Sequence, residues 1–307
     1  MALAVEQVHL IGTARDFLMG AGTLFDVQKD FNPFFTSVRA TQGGDRPYAH
    51  GAWVGAEWQD PRVVPIRVIA NGANADIPST RAAIQQMAAA FSAVGATGEI
   101  AELRFRLKDD PDEYVLFGRP RGVEPDIDEI ALGRAKIATA FVAGDPRIYS
   151  GNLTTVTTGL PVQRGGLRIG AELVSSVWRR GLRLPFRIPG TTQGGQVEIN
   201  NLGTTATGAL IRIDGPVVEP RLILERSDRT VQSISLNITL GEGQWIDVDT
   251  VRKRALLNGL IEANQRGAAT WLMDAFPFLP GVNRLRFLAA NYTPTAQARV
   301  EYRSAWW

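Results

Sequence analysis

Between Val231 and Leu240 the chain alternates with a period of two. Ile234, Leu236, Ile238 and Leu240 fall on one face, and Ser233, Ser235, Asn237 and Thr239 on the other. A strand with one buried face uses that pattern, and a slip of one residue would turn every apolar group to water. The segment lies in a run from Val197 to Trp245 that is cut by turn clusters at Asn200-Asn201-Leu202-Gly203-Thr204, Asp214-Gly215-Pro216 and Gly241-Glu242-Gly243. More strand-like pieces follow. Trp245 to Val248 precedes Arg252 to Leu257, and Asn258-Gly259 offers the residues of a tight hairpin turn. Leu285 and Phe287 alternate with Arg284 and Arg286, and Ala296, Ala298, Val300 and Tyr302 with Gln297, Arg299, Glu301 and Arg303. Eight or nine short strands over about 120 residues, with turn signals every 8 to 12, predict a β-sandwich.

The first half is less regular. Val63 to Ala70 reads as a strand ended by Asn71-Gly72, and Arg81 to Val94 as a helix with Ser79 or Thr80 as its cap. Ile84, Met87, Ala88, Phe91 and Val94 form one apolar stripe, and Gly95 stops it. Leu103, Phe105 and Leu107 alternate with arginines, the acidic turn Asp109 to Glu113 follows, and Tyr114 to Phe117 returns, which predicts a hairpin. Ala135, Ile137, Thr139 and Phe141 alternate in another strand. Phe17, Phe31, Phe34 and Phe35 form aromatic patches, while the polar stretch from Thr41 to Asp60 carries Tyr48, Trp53 and Trp58. Large aromatics in a long loop predict a packed edge that meets a neighbour.

A length of 307 residues and 45% hydrophobic content allow two cores. The divisions expected are 1–150, an extended linker or arm at 151–190, and the sandwich at 191–307. Without cysteine there are no disulfides, thiolate nucleophiles or cysteine-based zinc sites. No apolar run is long enough to span a bilayer and no signal-peptide pattern opens the chain, which predicts a product kept in the cytosol. The 33 basic and 31 acidic residues leave a net charge of +2. The basic clusters, Arg179-Arg180 with Arg183 and Arg187, and Arg252-Lys253-Arg254, lack the interleaved aromatics of a nucleic-acid platform and read as solvated or interface faces.

Gly20-Ala21-Gly22-Thr23 lacks the third glycine and the lysine of a phosphate loop and reads as a turn. His9 and His50 lie near no serine or carboxylate motif. The acidic turn 109–113 lacks the spaced ligands and central glycine of a calcium loop, and Glu124, Asp126, Asp128 and Glu129 read as an exposed rim. Asp247 and Asp249 share a strand face and could form a glycosidase pair, but they read as the outward half of an alternation whose inward half is Ile246 and Val248. The expectation is therefore no enzyme, with no catalytic, cofactor-binding or metal residue and no cofactor.

Several pieces then carry a resemblance. They are Phe141-Val142-Ala143-Gly144-Asp145-Pro146 with Tyr149, and Asn201-Leu202-Gly203-Thr204 followed by Ile213-Asp214-Gly215-Pro216. Gly243-Gln244-Trp245-Ile246-Asp247-Val248-Asp249, Leu279 to Phe287, and Tyr302-Arg303-Ser304-Ala305-Trp306 complete the set. In this order and spacing, from about Phe17 onward, the chain resembles the distal tail (minor tail) proteins of long-tailed, siphovirus-type phages, especially those of actinobacteria. The resemblance implies a mainly β protein, with a β-rich belt domain containing one helix and a galectin-like β-sandwich. It implies a virion structural protein of the tail tip or baseplate, assembled in the host cytoplasm. As a homo-hexamer it would join the tail tube protein to the tail-tip hub protein, its lumen passing the tape measure protein and then DNA without specific binding, with no membrane partner.

A sandwich alone supplies no function. Two other readings stay open on the residues themselves. Trp178, Trp271, Trp306 and Trp307 suit a carbohydrate-binding module that adheres to the host surface, and the uncommitted carboxylates a glycan-cleaving enzyme.

Overall fold

The computed structural model describes residues 3–12, 15–40, 43–46, 48–53, 55–92, 100–164, 167–169, 186–188, 191–193, 195–263, 276–291 and 293–307. The chain divides into two units. One is Met1–Leu153 with Ser304–Trp307, and the other is Thr154–Arg303.

The first unit contains β1 (Gln7–Gly12), β2 (Arg15–Gly20), β3 (Phe25–Val27), β4 (Val38–Ala40), β5 (Gly44–Asp45), β6 (Ala52–Trp53), β7 (Glu57–Gln59) and β8 (Arg62–Asn71). Helix α1 (Ile77–Phe91) follows, then β9 (Ala101–Arg106), β10 (Tyr114–Pro120), β11 (Glu124–Asp126), β12 (Arg134–Ala143) and β13 (Ile148–Ser150). Its main sheet runs β2-β1-β9-β10-β12-β8-β3. The longest ladder joins β12 to β8 from Arg134↔Asn71 to Ala143↔Arg62. Along β8, Val64, Ile66, Val68 and Ala70 are fully buried while Val63, Pro65 and Arg67 are exposed, so the alternation read from the sequence is what fixes this strand's face. The hairpin expected around the acidic turn is β9–β10, with Tyr114 opposite Phe105.

Helix α1 lays Thr80, Ala83, Met87 and Phe91 into the core, with Ile84 packed beside them. The cap differs from the expected Ser79 or Thr80. Asp76 is the N-cap, and its carboxylate accepts from the Ser79 N–H at 2.8 Å. The helix starts earlier because Pro78 belongs to its first turn, where a missing N–H costs nothing. Val94 and Gly95 lie outside the described residues.

The second unit begins with β14 (Thr154–Gly159), β15 (Val162–Arg164), β16 (Leu167–Ile169), β17 (Phe186–Ile188), β18 (Thr191–Gln193), β19 (Gln196–Asn201) and β20 (Ala209–Asp214). It continues with β21 (Val217–Val218), β22 (Arg221–Glu225), β23 (Val231–Ser235), β24 (Thr239–Leu240), β25 (Trp245–Asp249), β26 (Arg254–Leu257), β27 (Gly281–Leu288) and β28 (Gln297–Tyr302). One sheet is β14-β28-β20-β25-β26 and the other β19-β27-β22-β23. Ile211, Ile213, Ile246, Val248 and Val300 from the first, and Ile199, Leu222, Leu224, Ile234, Leu285 and Phe287 from the second, share one fully buried core. This is the sandwich, and each such side chain contributes about 1.5 to 3 kcal/mol of burial.

Three sequence expectations meet a different arrangement here. The single strand expected from Val231 to Leu240 is two, β23 on β22 and β24 on β21. Pro220, which has no N–H to give the ladder, and Glu219, at φ +46, break the partner strand, and the break is matched across the pair. Asn258 and Gly259 have the left-handed φ of a tight turn, but they lead into the 3-10 turn Ile261–Ala263, whereas the β25–β26 connection is Thr250 to Lys253. The stretch 151–190 includes β14, a strand of the sandwich, as well as β15, which pairs with β18 through Val162↔Gln193, and β16, which pairs with β17 through Leu167↔Ile188.

The final strand, β29 (Ala305–Trp306), pairs with β13 through Ile148↔Trp306 and Tyr149↔Ala305. Ala305 is fully buried with Val115 and Tyr149 in a small cluster of the first unit. The sandwich is thus an insertion between two segments of the first unit's chain.

Candidate functional site

The feature of the first unit that its own core does not explain is the segment Val38 to Gln59. Val38↔Gln59 and Arg39↔Trp58 pair β4 with β7, and Gly44↔Trp53 and Asp45↔Ala52 pair β5 with β6, so the segment folds back on itself as an arm that carries two short two-stranded ladders. Trp53 and Trp58 are 63% and 59% exposed, and Tyr48, at the tip with φ +60, is fully exposed. The Arg46 guanidinium lies 4.9 Å from the Trp53 ring, and Arg39 stands opposite Trp58. At the arm's base Phe34 meets Phe105 and Tyr114 edge-on at 6.4 and 6.1 Å, while Phe35 is 64% exposed.

The root of the arm is held by Arg62, which is 1% exposed. It donates from Nε to Pro146 O at 2.6 Å, and from Nη1 to Pro33 O at 2.8 Å and Phe35 O at 3.2 Å. Burial lowers its pKa from the ordinary arginine value. Nη2 of Arg62 and Oε1 of Gln59, at the same root, are buried without a hydrogen-bond partner among the described residues. Nothing in the sequence marked Arg62, the first residue of an alternating strand. The buried position in its parity was the one available signal.

Beside it lies the motif Asp145-Pro146-Arg147 with Tyr149. The Asp145 carboxylate accepts from Arg147 Nη2 at 2.7 Å and from the Tyr149 hydroxyl at 2.7 Å. Burial alone would raise the Asp145 pKa, but the hydrogen bond and charge of Arg147 and the Tyr149 hydroxyl hold it below the usual carboxylate range. Burial, then the neighbouring carboxylate, pushes the Tyr149 phenol well up. The folded pKa of Asp145 is therefore the lower one, so its contribution to stability is complete above the unfolded value of about 4 and is lost as pH falls through the folded value. Asp145→Asn is expected to flatten the acid side of the melting-temperature profile below about pH 4. An unchanged acid limb in that titration would remove Asp145 from the account.

The residues weighed for chemistry take structural places. His9 Nε2 is 2.5 Å from Asp16 Oδ1, across the β1–β2 pair, and His50 is exposed near the arm tip. Gly20 has φ +102, and a Cβ there would lie 2.1 Å from Glu6 O, so this glycine serves a close backbone approach. In the acidic turn Asp110 accepts from the Asp112 N–H at 2.9 Å and from the Tyr114 hydroxyl at 3.1 Å. Burial and that carboxylate push the Tyr114 pKa up to about 12. Glu129 pairs with Lys136 at 2.8 Å and Arg134 at 2.5 Å, whereas Glu124, Asp126 and Asp128 are exposed. Asp249 accepts from the N–H groups of Val251 and Arg252 at 3.0 and 2.9 Å, and Asp247 from the Trp245 indole at 3.3 Å. Among the described residues no group of three or more His, Asp or Glu is placed to hold a metal ion, and no helix is long and apolar enough to cross a membrane.

Trp306 meets Tyr114 edge-on at 5.8 Å, and with Trp307 it belongs to the first unit. Trp178, Trp271, Arg179, Arg180 and Arg183 lie outside the described residues. The tryptophan that does stand on a described sandwich face is Trp245, with the Arg212 guanidinium 4.3 Å from its ring. The turn motifs have geometric roles. Buried Asn201 donates to Thr205 O at 2.8 Å and Phe278 O at 3.1 Å, and Asn283 to Leu279 O at 2.8 Å.

With that geometry in place, the fold is seen to be shared with solved phage proteins of the tail-tip adsorption apparatus and baseplate. The chain is similar to the solved structure of the Dit protein of phage SPP1, described as a paradigm of the hub adsorption apparatus in phages that infect Gram-positive hosts. The identity is 14%, the match covers 97% of this chain and 98% of that one, and the TM-score is 0.59. It is also similar to a chain of the phage P2 baseplate in its activated conformation with Ca, at 8% identity, 96% coverage of both chains and a TM-score of 0.51. No family model and no curated protein sequence matches it.

Proposed function

We propose that the chain is a structural, non-enzymatic subunit of a phage tail tip. In this reading it assembles as a hexameric ring that joins the tail tube to the tail-tip hub, and the ring's lumen passes the tape measure protein and then DNA. The observation that carries the reading is the correspondence of fold with SPP1 Dit across both units and nearly the full length of both chains. The exposed arm supports it physically. A lone two-stranded hairpin is marginal in water, and Trp53, Trp58 and Tyr48 are the residue types that form the centres of protein interfaces. Heterologous contacts between identical subunits close into rings when the rotation allows it.

The test is the mass in solution. Six copies of a 33.4 kDa chain give about 200 kDa by light scattering. A species that stays monomeric at every concentration and does not bind isolated tail tubes would count decisively against the ring.

A further inference from the structure

We propose that the cavity at the β22–β23 hairpin is an oxyanion site, and that together with the arginines on the adjoining sheet face it binds a phosphodiester chain that carries no bases. The site lies wholly within the second unit, so it does not depend on the ring reading.

The two outer faces of the sandwich differ in charge. On the sheet β14-β28-β20-β25-β26, the outward arginines Arg212, Arg254 and Arg299 are each ion-paired, with Asp214 at 2.8 Å, Asp249 at 3.6 Å and Glu301 at 3.3 Å. That face is neutralised from within. The sheet β19-β27-β22-β23 turns Arg221, Arg284 and Arg286 outward, and the hairpin adds Arg226 and Arg229, against the carboxylates of Glu198, Glu225 and Asp228. Five arginines against three carboxylates leave two positive charges. Of the five, only Arg284 has an ion pair among the described residues, with Glu198 at 3.3 Å. Asp228 is engaged in its own turn, where it accepts from the Thr230 N–H at 2.9 Å.

The cavity holds about 210 Å³ and is lined by Glu225, Arg226, Ser227, Arg229, Val282 and Arg284. Its lining supplies three guanidiniums and a hydroxyl as donors against one carboxylate. The Arg226 side chain is steadied by its Nε bond to Thr230 Oγ1 at 2.8 Å, and its Nη groups make no hydrogen bond among the described residues. A guanidinium fork with free N–H groups is matched by two oxygens of one phosphate.

From the cavity the arginines continue in even steps. Arg286 follows Arg284 by two residues on β27, about 6.8 Å along the strand. Arg221 stands opposite Leu288, which makes it the diagonal neighbour of Arg286 at about 7 to 8 Å. Cations repeated at that interval suit a chain that carries its charge in its backbone. The outward residues of these four strands include no aromatic side chain. Nucleobases are held by aromatic platforms, and the centres of protein interfaces concentrate tryptophan and tyrosine. A polyol phosphate polymer asks for neither, and needs only the guanidiniums.

The test titrates the full chain into fluorescently labelled poly(glycerol phosphate) at low salt and reads polarisation. Binding is expected to be at least about tenfold tighter than to a deoxyribo-oligonucleotide with the same number of phosphates, or to polyglutamate of equal charge, for want of a stacking platform and of carboxylate-specific contacts. Arg229→Gln and Arg286→Gln are each expected to weaken binding at least about threefold and to lower the slope of log affinity against log salt by about 0.7, with the melting temperature unchanged. Glu225→Gln removes the one carboxylate of the cavity and should tighten binding, while Arg299→Gln, on the other face, should leave it as in the parent. An oligonucleotide or polyglutamate bound as tightly as the polyol phosphate overturns the proposed ligand. Failure of the polyol phosphate to bind, or Arg229→Gln and Arg286→Gln behaving as the parent, overturns the site, and each of these results leaves the ring standing.

Discussion

Replacing Phe91 by Ala is expected to destabilise the first unit by about 3 to 5 kcal/mol, among the largest losses a single truncation gives. Phe91 is fully buried at the last turn of α1, where its ring meets Phe17 at 6.2 Å and nearly perpendicular, and Phe17 in turn meets Phe25 at 4.7 Å. Removing it opens a cavity among three elements, β2, β3 and α1, all held by sheet ladders or the helix and unable to collapse fully into the space. Urea unfolding should show the transition of the first unit shifted and that of the sandwich in place. A shift worth less than about 1 kcal/mol would mean that the helix does not seal this core.

Arg62→Met is the second large effect, expected at about 2 to 4 kcal/mol. Three backbone carbonyls, those of Pro33, Phe35 and Pro146, lose their donor in a largely water-excluded place, each at about 1 to 3 kcal/mol, and relief from burying the guanidinium offsets part of the sum. The signature is regional. Pro33 and Phe35 stand at the start of the arm, so hydrogen exchange between Phe34 and Gln59 should rise more than in β8 or β12. Arg62→Lys should fall between parent and Met, because one ammonium reaches fewer of the three carbonyls. Equal exchange rates in parent and Met variant across the arm would show that Arg62 does not set its position.

The parts of the fold legible in the sequence are those where burial alone decides the pattern. The strands β8, β9, β12, β27 and β28 and the helix α1 were visible because their apolar spacing matches one face of a strand or helix and nothing else competes. The missed features share a different cause. The break between β23 and β24 is imposed by Pro220 and Glu219 on the partner strand, a contact that a reading of Val231 to Leu240 by itself does not contain. The cap at Asp76 was missed because Ser79 and Thr80 are equally good capping residues and only the position of Pro78 decides among them. For the candidate site, the aromatics Tyr48, Trp53 and Trp58 were recognisable as contact residues. The residues they pair with, Trp58 with Arg39 and Trp53 with Gly44, were not, since pairing depends on a register that polar residues leave unspecified. Arg62 was invisible for the same reason that makes it effective: its charge is compensated by main-chain carbonyls far away in sequence.

The insertion of the sandwich has a consequence for the order of events during synthesis. Ala305, buried against Val115 and Tyr149, is separated from Tyr149 by the whole of Thr154–Arg303. Translation delivers the N-terminal segment first, and domains tend to fold as they emerge. The edge of β13 that takes β29 therefore waits unpaired until Ala305 and Trp306 have been made, and Val115 and Tyr149 stay partly uncovered for as long. The first unit becomes complete only in a polypeptide that already carries its entire sandwich, so pairing of β29 stamps the first unit with the fact that the sandwich has been made.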